Sequence, residues 1–290
     1  MRRSAFLVLI AAAFAWHPAR AAVIQVSPGP GTPLQDAIAG AAPGDTIKVA
    51  GGVYDGAVVV DRAVRILGDD VTVRVDAGCG VANALEVTAD GVEIKNMRVD
   101  GGTANGLVVE GRAGVKLKRM GIFNTCGASG AAVRLVQVSD LRLNNVRGGI
   151  WPIGTYVADL AANSRVDLKL CGGEGSPFGG MGTAVLVENV NPGALRMSKC
   201  QIIYAEDTGI ELRNSDGVRI SASIVVGRGV GSTSRGIVAD ANSDDNSVLR
   251  NSFRNNQVDV VDQGIGNCWR GNRNPNGVPL SGNPTTDGCP

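Results

Sequence analysis

The sequence has almost no histidine, since His17 is the only one among 290 residues. Beyond residue 21 there is none, which excludes Ser-His-Asp catalysis, histidine acid–base chemistry and histidine metal sites from that part. Aromatic residues make up only 4% of the chain. No CxxC pattern occurs, so zinc and dithiol redox sites of that type are not indicated. No later stretch is long and apolar enough to predict a transmembrane helix.

The first residues have the pattern of an export signal. Two arginines precede an apolar run over residues 6–16, and Ala-Arg-Ala at residues 19–21 is a small-x-small cleavage site. We therefore predict a signal peptide over residues 1–21 and a secreted or periplasmic protein. Removing its three arginines changes the net charge from +1 to −2. A chain so close to neutral gives no electrostatic reason to expect nucleic acid or an anionic membrane as a partner.

Glycine is abundant, with 41 residues, well above the usual share of about 7%. Such a composition is typical either of disorder or of a repeat with a tight turn in every unit. The many Val, Ile and Leu residues argue against disorder, because they supply enough apolar surface for a core.

One phrase recurs along the chain, a turn followed by V-x-I-x-x-x, as in "DGVEIKNMRV" and "AGVKLKRMGI". Its first apolar positions are residues 92, 115, 141, 166, 195 and 218, which are 23 to 29 residues apart. A second short phrase with alternating apolar residues lies about eight residues before each one, and alternation is typical of half-buried strands. Repeats of this size predict a solenoid. A helical solenoid is disfavoured, because no unit has a run long enough for a helix.

A coiled parallel β-structure remains, in which each coil stacks on the next at about 4.8 Å. Equivalent residues then form two interior columns: Val92, Val115, Leu141, Val166, Leu195 and Val218; Ile94, Leu117, Leu143, Leu168, Met197 and Ile220. The exposed first coil needs a cover. Thr32 as N-cap, Pro33 and an apolar face of Leu34, Ala37, Ile38 and Ala41 predict a short helix for this purpose. We expect an N-terminal cap over residues 22–45, a parallel β-helix over 46–262 and a C-terminal tail over 263–290.

The phrase "LQDAI…APGDTIKV…GVYDG", followed by such coils, resembles the right-handed parallel β-helix proteins of the pectin-lyase-like superfamily. The resemblance implies a single all-β domain with a polysaccharide partner, in many members an acidic one. The catalytic phrases of polygalacturonases, pectin methylesterases, mannuronan epimerases and classical pectate lyases are missing. A lyase that uses Arg or Lys as its base, with or without Ca²⁺, stays open, because that chemistry needs no histidine.

The segments that connect the strands of successive coils carry most of the candidate site residues. Aromatic residues recur there in four successive coils, and carboxylates and an arginine lie beside them. The predicted substrate-binding residues are Phe123, Trp151, Tyr156, Phe178 and Tyr204, and the predicted catalytic residues are Glu174, Glu206, Asp207 and Arg228. Such loops on a rigid stack suit a sugar chain lying along the axis. The alternative is an internal aromatic stack with ordinary solvated acids.

The sequence thus predicts an exported protein that binds or modifies polysaccharide, with lyase-like activity on acidic glycans as one form of this. The alternative is a non-catalytic carbohydrate-binding or structural protein. Asp207, Glu211 and Asp216 could supply oxygen ligands to Ca²⁺, although no DxDxDG loop is present. No other cofactor, metal or oligomeric state is indicated.

Six cysteines in an exported chain favour disulfide bonds. Cys171 and Cys200 occupy one slot in adjacent coils, which places them near 5 Å apart, within the disulfide range. Cys268 and Cys289 bracket the tail, and a bond there would close the C-terminal end. Cys79 and Cys126 lie in equivalent turns two coils apart. Regular geometry would leave them too far apart for a disulfide bond, so their pairing stays open.

Overall fold

The protein is represented by a computed structural model that describes residues 21–69, 72–123, 126, 129–149, 151–174, 182–228, 234–275, 279–284 and 289. The predicted signal peptide lies outside these ranges except for its last residue, and Phe178 lies outside them too. Among the described residues, no helix is long and apolar enough to cross a membrane.

The described chain contains one α-helix and a long series of short strands. The helix, α1, spans Pro33–Gly40. The strands are, in chain order, β1 (Val23–Val26), β2 (Thr46–Val49), β3 (Gly52–Asp55), β4 (Val58–Val60), β5 (Arg65–Gly68), β6 (Val73–Asp76), β7 (Asn83–Val87), β8 (Glu93–Asp100), β9 (Asn105–Glu110), β10 (Lys116–Phe123), β11 (Ala131–Val136), β12 (Arg142–Gly149), β13 (Ile153–Ala158), β14 (Val166–Lys169), β15 (Gly172–Glu174), β16 (Thr183–Glu188), β17 (Leu195–Ser198), β18 (Gln201–Ala205), β19 (Thr208–Arg213), β20 (Arg219–Ser221), β21 (Ile224–Gly227), β22 (Arg235–Ala239), β23 (Ser247–Leu249), β24 (Ser252–Arg254), β25 (Val258–Asp262) and β26 (Cys268–Arg270).

The strands stack in parallel register into three long strips. Strip 1 holds β1, β2, β5, β14, β17, β20, β23, β26 and the first halves of β8, β10 and β12. Strip 2 holds β3, β6, β15, β18, β21, β24 and the second halves of those three strands. Strip 3 is a nine-stranded sheet formed by β4, β7, β9, β11, β13, β16, β19, β22 and β25. The chain is a right-handed parallel β-helix, as the sequence predicts.

The chain bends between strips 1 and 2 at one left-handed residue in each of seven successive coils, from that of β8 to that of β23. These residues have φ between +50° and +56°: Asn96, Arg119, Asn145, Leu170, Lys199, Ala222 and Arg250. A residue in this conformation turns the chain away from the extended path of a strand. The column therefore ends one strip and redirects the chain into the next, while the side chains of the bend stay outside the core.

The core lies inside the coil, where the two predicted columns meet. None of their twelve residues is more than 1% exposed, and the register pairs the second column residue by residue, from Ile94 with Leu117 to Met197 with Ile220. Burying each such side chain stabilises the fold by about 1.5–3 kcal/mol. The alternation in the sequence therefore predicts the core correctly.

The helix α1 covers the N-terminal end of the stack, as expected. Leu34 and Ile38 are buried against the core. The Gln35 amide donates to the Val59 carbonyl (3.2 Å) and accepts from the Val59 N–H (2.8 Å), so it occupies the free edge of β4. Thr32 occupies the N-cap position without a side-chain capping bond, and its hydroxyl contacts the Asp36 carboxylate at 3.3 Å instead.

Three disulfide bonds join the six cysteines. The Cα atoms are 4.5 Å apart for Cys171–Cys200 and 4.6 Å apart for Cys268–Cys289, and both pairs are those expected from the sequence. Cys79 and Cys126 are also bonded, with Cα atoms 5.2 Å apart, so the expectation that two turns two coils apart would be too distant for a bond was wrong.

The coil between Cys79 and Cys126 explains this third bond. Its link after β8 covers only residues 101–104, whereas the links of the neighbouring coils cover residues 77–82 and 124–130. Gly101 turns with φ +96° so close to the previous coil that a Cβ there would lie 2.6 Å from the Gly78 carbonyl oxygen. Because this link is short, Cys79 and Cys126 of the two neighbouring coils can reach each other past it.

Candidate functional site

The aromatic residues of the connecting segments do not share one surface. Trp151 is fully buried, which contradicts its predicted role in binding a sugar. It packs in the core beside Gly106, where a Cβ would lie 3.2 Å from its ring. The irregular segment after β12 turns this side chain inward, so for Trp151 the internal interpretation is correct.

The other predicted substrate-binding residues that the structure describes are half-buried and do not all lie on the same strip. Phe123 ends β10 on strip 2, with the Arg98 guanidinium 4.4 Å from its ring centre. Tyr204 lies at a bulge in β18, where the register shifts and its φ is +62°. Tyr156 projects from strip 3, beneath the Arg134 guanidinium at 5.0 Å. Three side chains spread in this way do not form a continuous stacking platform.

Tyr156 belongs to a small polar cluster on strip 3. Its hydroxyl donates to the Glu188 carboxylate on the next coil, at 2.7 Å. Burial, followed by the hydrogen bond to Glu188 and the charge of that carboxylate, raises the pKa of Tyr156 to about 12. The phenol therefore stays protonated and acts as a hydrogen-bond donor at neutral pH.

The predicted catalytic residues are placed only in part. The Arg228 guanidinium lies 2.7 Å from the Glu206 carboxylate in an ion pair between adjacent coils. Asp207 is exposed, and its N–H donates to the Gly182 carbonyl at 2.9 Å. Glu174 is the last residue of β15, in register with Ile203. In the part of the chain that the structure describes, no three Asp, Glu, His or Cys residues are grouped to hold a metal ion.

Sequence reasoning missed a concentration of positive charge on the outer face of strip 1. Because side chains alternate along a strand, each coil presents two outward positions there. The first outward column is Arg65, Glu93, Lys116, Arg142, Asp167, Arg196 and Arg219, and the second is Lys95, Lys118, Asn144, Lys169, Ser198 and Ser221. From β10 to β20, Asp167 is the one acid at these positions. The signal was present in the sequence, at the residues between the interior positions of each phrase.

A groove crosses this face at the middle coils, and we call it the basic groove. It has a volume of about 470 Å³, and its lining residues are Gly114, Lys116, Asp140, Arg142, Arg165, Val166, Asp167, Gly193, Ala194 and Arg196. A smaller hollow of about 330 Å³ continues it toward Asn144, Lys169 and Ser198 and shares Arg142, Asp167 and Arg196 with it. The two together form one open, positively charged channel over the coils of β10 to β17.

The charges of the basic groove are only partly compensated. Asp140 lies 3.9 Å from Arg165, and both side chains are exposed. Within the described ranges, no carboxylate lies within 4 Å of the cationic nitrogens of Lys116, Arg142 or Arg196, although Asp167 stands between the two arginines in register.

The N-terminal end of strip 1 differs from the groove. There Glu93 lies 2.5 Å from Lys95 and 3.0 Å from Arg65. The hydrogen bond from Lys95 and, after it, the bond from Arg65 lower the pKa of Glu93 below its usual value. In this part of the face one carboxylate is therefore paired with both neighbouring cations, whereas Lys116, Arg142 and Arg196 of the groove keep their positive charge for a partner.

Comparisons with known proteins agree with the architecture. The family model described as "Periplasmic copper-binding protein (NosD)" matches residues 179–288, which is less than half of the chain. A search of curated proteins finds no match.

Among solved structures, the chain is similar to ORF18 of Geobacillus virus E2, with a TM-score of 0.55 and 12% identity over 87% of this chain. It spans 60% of the length of that protein. An alginate lyase from Paenibacillus sp. has a TM-score of 0.47 and 15% identity, covering 87% of this chain and 97% of the lyase. An α-1,3-glucanase from Streptomyces thermodiastaticus has a TM-score of 0.45 and 14% identity, covering 89% and 69%. At these identities the likeness concerns the fold.

The copper named in the family description does not fit the donor atoms of the described residues. Copper prefers imidazole, thiolate and thioether ligands. Histidine is missing from the described residues, and their cysteines are all in disulfide bonds. Met97, Met120 and Met197 are at most 3% exposed within the apolar core. We therefore derive no function from copper.

Proposed function

We propose that this protein is an exported β-helix protein that binds a linear acidic polysaccharide along the basic groove. The observation that carries the proposal is the row of incompletely compensated cations formed by Lys116, Arg142 and Arg196, which lie on three of four successive strands of strip 1.

The geometry of the stack suits a polymer better than a small molecule. Equivalent positions recur at about 4.8 Å along the axis, so a ligand with regularly repeated charges meets one set of groups after another. Arginine binds carboxylates through two parallel N–H donors. A chain of uronate sugars offers such a carboxylate on every unit, and the open groove leaves both of its ends free.

The lining of the groove favours a sugar polymer over a nucleic acid. Single-stranded nucleic acids bind largely by stacking their bases on aromatic side chains, and no aromatic residue lines this groove. The carboxylates of Asp140 and Asp167 can accept hydrogen bonds from sugar hydroxyls, of which a polysaccharide carries several on each unit. Mixed charge of this kind fits a ligand with both carboxylates and hydroxyl groups.

The disulfide bonds support a location outside the cytoplasm. All six cysteines are paired, and such bonds form and persist in oxidising compartments. Together with the signal pattern of residues 1–21, this supports secretion or a periplasmic location, where polysaccharides are accessible.

A binding experiment with two matched variants tests the proposal. Polyuronates and a neutral glucan are titrated into the wild-type protein, R142Q/R196Q and R254Q. Arg254 is an exposed arginine on strip 2 and serves as the control. We expect the polyuronate to bind and R142Q/R196Q to bind it at least about tenfold more weakly, since each lost charge contact contributes about 1 kcal/mol. R254Q should bind like the wild type.

Equal binding of the polyuronate and the neutral glucan, or unchanged affinity in R142Q/R196Q, would overturn the proposal. The same samples are followed by ultraviolet absorbance for unsaturated sugar ends and by an assay for reducing ends. Either signal would show that binding is accompanied by cleavage, by elimination or by hydrolysis respectively.

A further inference from the structure

We propose a second ligand site at the C-terminal end of strip 1, which binds a tetrahedral oxyanion such as a sulfate or phosphate group. The site is a pocket of about 450 Å³ lined by Arg219, Ser221, Ala222, Leu249, Arg250, Arg270 and Gly271. We call it the arginine pocket. This inference does not depend on the basic groove, because the two sites share no lining residue.

Three successive coils build the arginine pocket. Arg219 is the first residue of β20, and Arg270 is the last residue of β26. Ser221, Leu249 and Arg270 are in register with one another, so the first two form a floor beside the third. Arg250 occupies the bend after β23 with φ +55°, and its N–H donates to the Arg270 carbonyl at 2.9 Å. The fold thus holds the backbone of all three arginines in fixed relation.

The arginine pocket differs from the basic groove in its charge. No carboxylate lines it, whereas Asp140 and Asp167 line the groove. No acidic side chain of the described residues lies within 4 Å of the guanidinium groups of Arg219 or Arg250. The like charges of Arg219 and Arg250 repel each other, and a bound anion would relieve that repulsion.

The number of donors indicates the class of ligand. A guanidinium group offers a planar fork that one carboxylate can satisfy with its two oxygens. The guanidinium groups of Arg219 and Arg250, with the Ser221 hydroxyl on the floor, offer more donors than one carboxylate accepts and match a ligand with at least three terminal oxygens. Sulfate esters, phosphate esters and the free anions have this shape, and all carry their charge on the terminal oxygens.

The ligand has two sources, a free anion or an ester group on a polymer. The second outward column runs from Lys169 and Ser198 in the basic groove to Ser221 in the arginine pocket. A polysaccharide that lies in the groove therefore reaches the pocket when it continues toward the C-terminal end. A sulfated polymer would engage both sites, and a purely carboxylated polymer would engage the groove.

Calorimetric titration with inorganic sulfate and with inorganic phosphate tests the site itself. The proteins are the wild type, R219Q/R250Q, the groove variant R142Q/R196Q and the control R254Q. We expect at least about tenfold weaker binding of both anions in R219Q/R250Q, because charge-assisted hydrogen bonds are lost, and unchanged binding in the other two. Unchanged affinity in R219Q/R250Q, or no binding by the wild type at millimolar concentration, would overturn the proposal. Far-ultraviolet circular dichroism checks that each variant is folded.

A sulfated oligosaccharide and its desulfated counterpart separate the two sources. If the source is an ester, R219Q/R250Q should weaken binding of the sulfated form only, whereas R142Q/R196Q should weaken both. If the free anions bind through the pocket and the sulfated oligosaccharide gains nothing from it, the site is supported with a free anion as its ligand. Equal weakening of both oligosaccharides in R219Q/R250Q would contradict selectivity for an oxyanion.

Discussion

The basic groove and the loop segment at Trp151 show how differently one chain uses its outside and its inside. The loop segment has the residue types of a carbohydrate site, yet Trp151 has no exposed surface. The basic groove has no aromatic residue, yet its cations face solvent on a regular strip. In a stacked coil the direction of a side chain, set by the register, decides what it can do.

The net charge of the chain does not reveal how unevenly its charges are distributed. The whole chain is close to neutral, with 28 basic and 27 acidic residues, but the bases concentrate on the outer face of strip 1. Elsewhere the acids meet bases in pairs, as in Arg74–Asp76 and Arg213–Glu211. A balanced composition is therefore compatible with a strongly charged face.

The largest effect on stability is expected for a substitution in the core. Trp151→Ala should lower the free energy of unfolding by about 3–5 kcal/mol, because it leaves a large cavity in the core. Denaturant unfolding measures the loss. Phe123→Ala is the matched control and should cost less, since Phe123 is half-exposed. A loss below about 1 kcal/mol for Trp151→Ala, with weaker glycan binding, would place Trp151 on the surface.

The next effect is expected in the salt dependence of binding to the basic groove. Binding of a polyuronate to the wild-type protein should weaken by about tenfold when the salt concentration rises from 0.05 to 0.5 M, because screening weakens attraction between exposed charges. Calorimetry at several salt concentrations measures the slope. The slope should be shallower for R142Q/R196Q than for R254Q, and equal slopes would place the bound polymer elsewhere.

A smaller effect concerns Tyr156, an aromatic residue that was predicted to bind substrate. Tyr156→Phe removes its hydrogen bond to Glu188 and should cost about 1 kcal/mol at pH 7. The raised pKa of Tyr156, about 12 against 10.0 in an unperturbed tyrosine, means that the unfolded state loses this proton first. The contribution of Tyr156 to stability is thus fully present below pH 10 and is lost as the pH rises toward 12.

Unfolding free energies at pH 8 and pH 11 measure this contribution. The difference in stability between the wild type and Tyr156→Phe should shrink at the higher pH. Tyr54 also has a pKa raised by burial, but it is present in both proteins and cancels. A difference that grows with pH would contradict the assigned hydrogen bond.

The smallest effect is expected at the predicted catalytic carboxylate. Glu206→Gln breaks the ion pair with Arg228, whose two side chains are each about one third exposed. Exposed pairs contribute less than about 1 kcal/mol, so stability should change little and polyuronate affinity should not change. A loss of polymer cleavage in this variant, with intact binding, would instead make Glu206 a catalytic residue.

Much of the fold could be predicted from the sequence because it repeats. The alternation in each phrase identifies both interior columns, and the same alternation identifies the outward cations of strip 1. The equivalent slots of Cys171 and Cys200 follow from the repeat as well. Irregular segments carry no such period, so neither the inward turn of Trp151 nor the bond between Cys79 and Cys126 could be foreseen. That bond depends on how short the link at Gly101 and Gly102 is.

Chemical footprinting of arginine with and without a bound polyuronate is the most direct test of whether the polymer binds along the basic groove. Each arginine is modified with an arginine-specific dicarbonyl reagent and quantified by mass spectrometry. We expect the polymer to protect Arg142, Arg165 and Arg196 and to leave Arg254 as reactive as before. Protection of Arg98 and Arg228, with Arg142 and Arg196 unprotected, would contradict it and return the site to the loop segments.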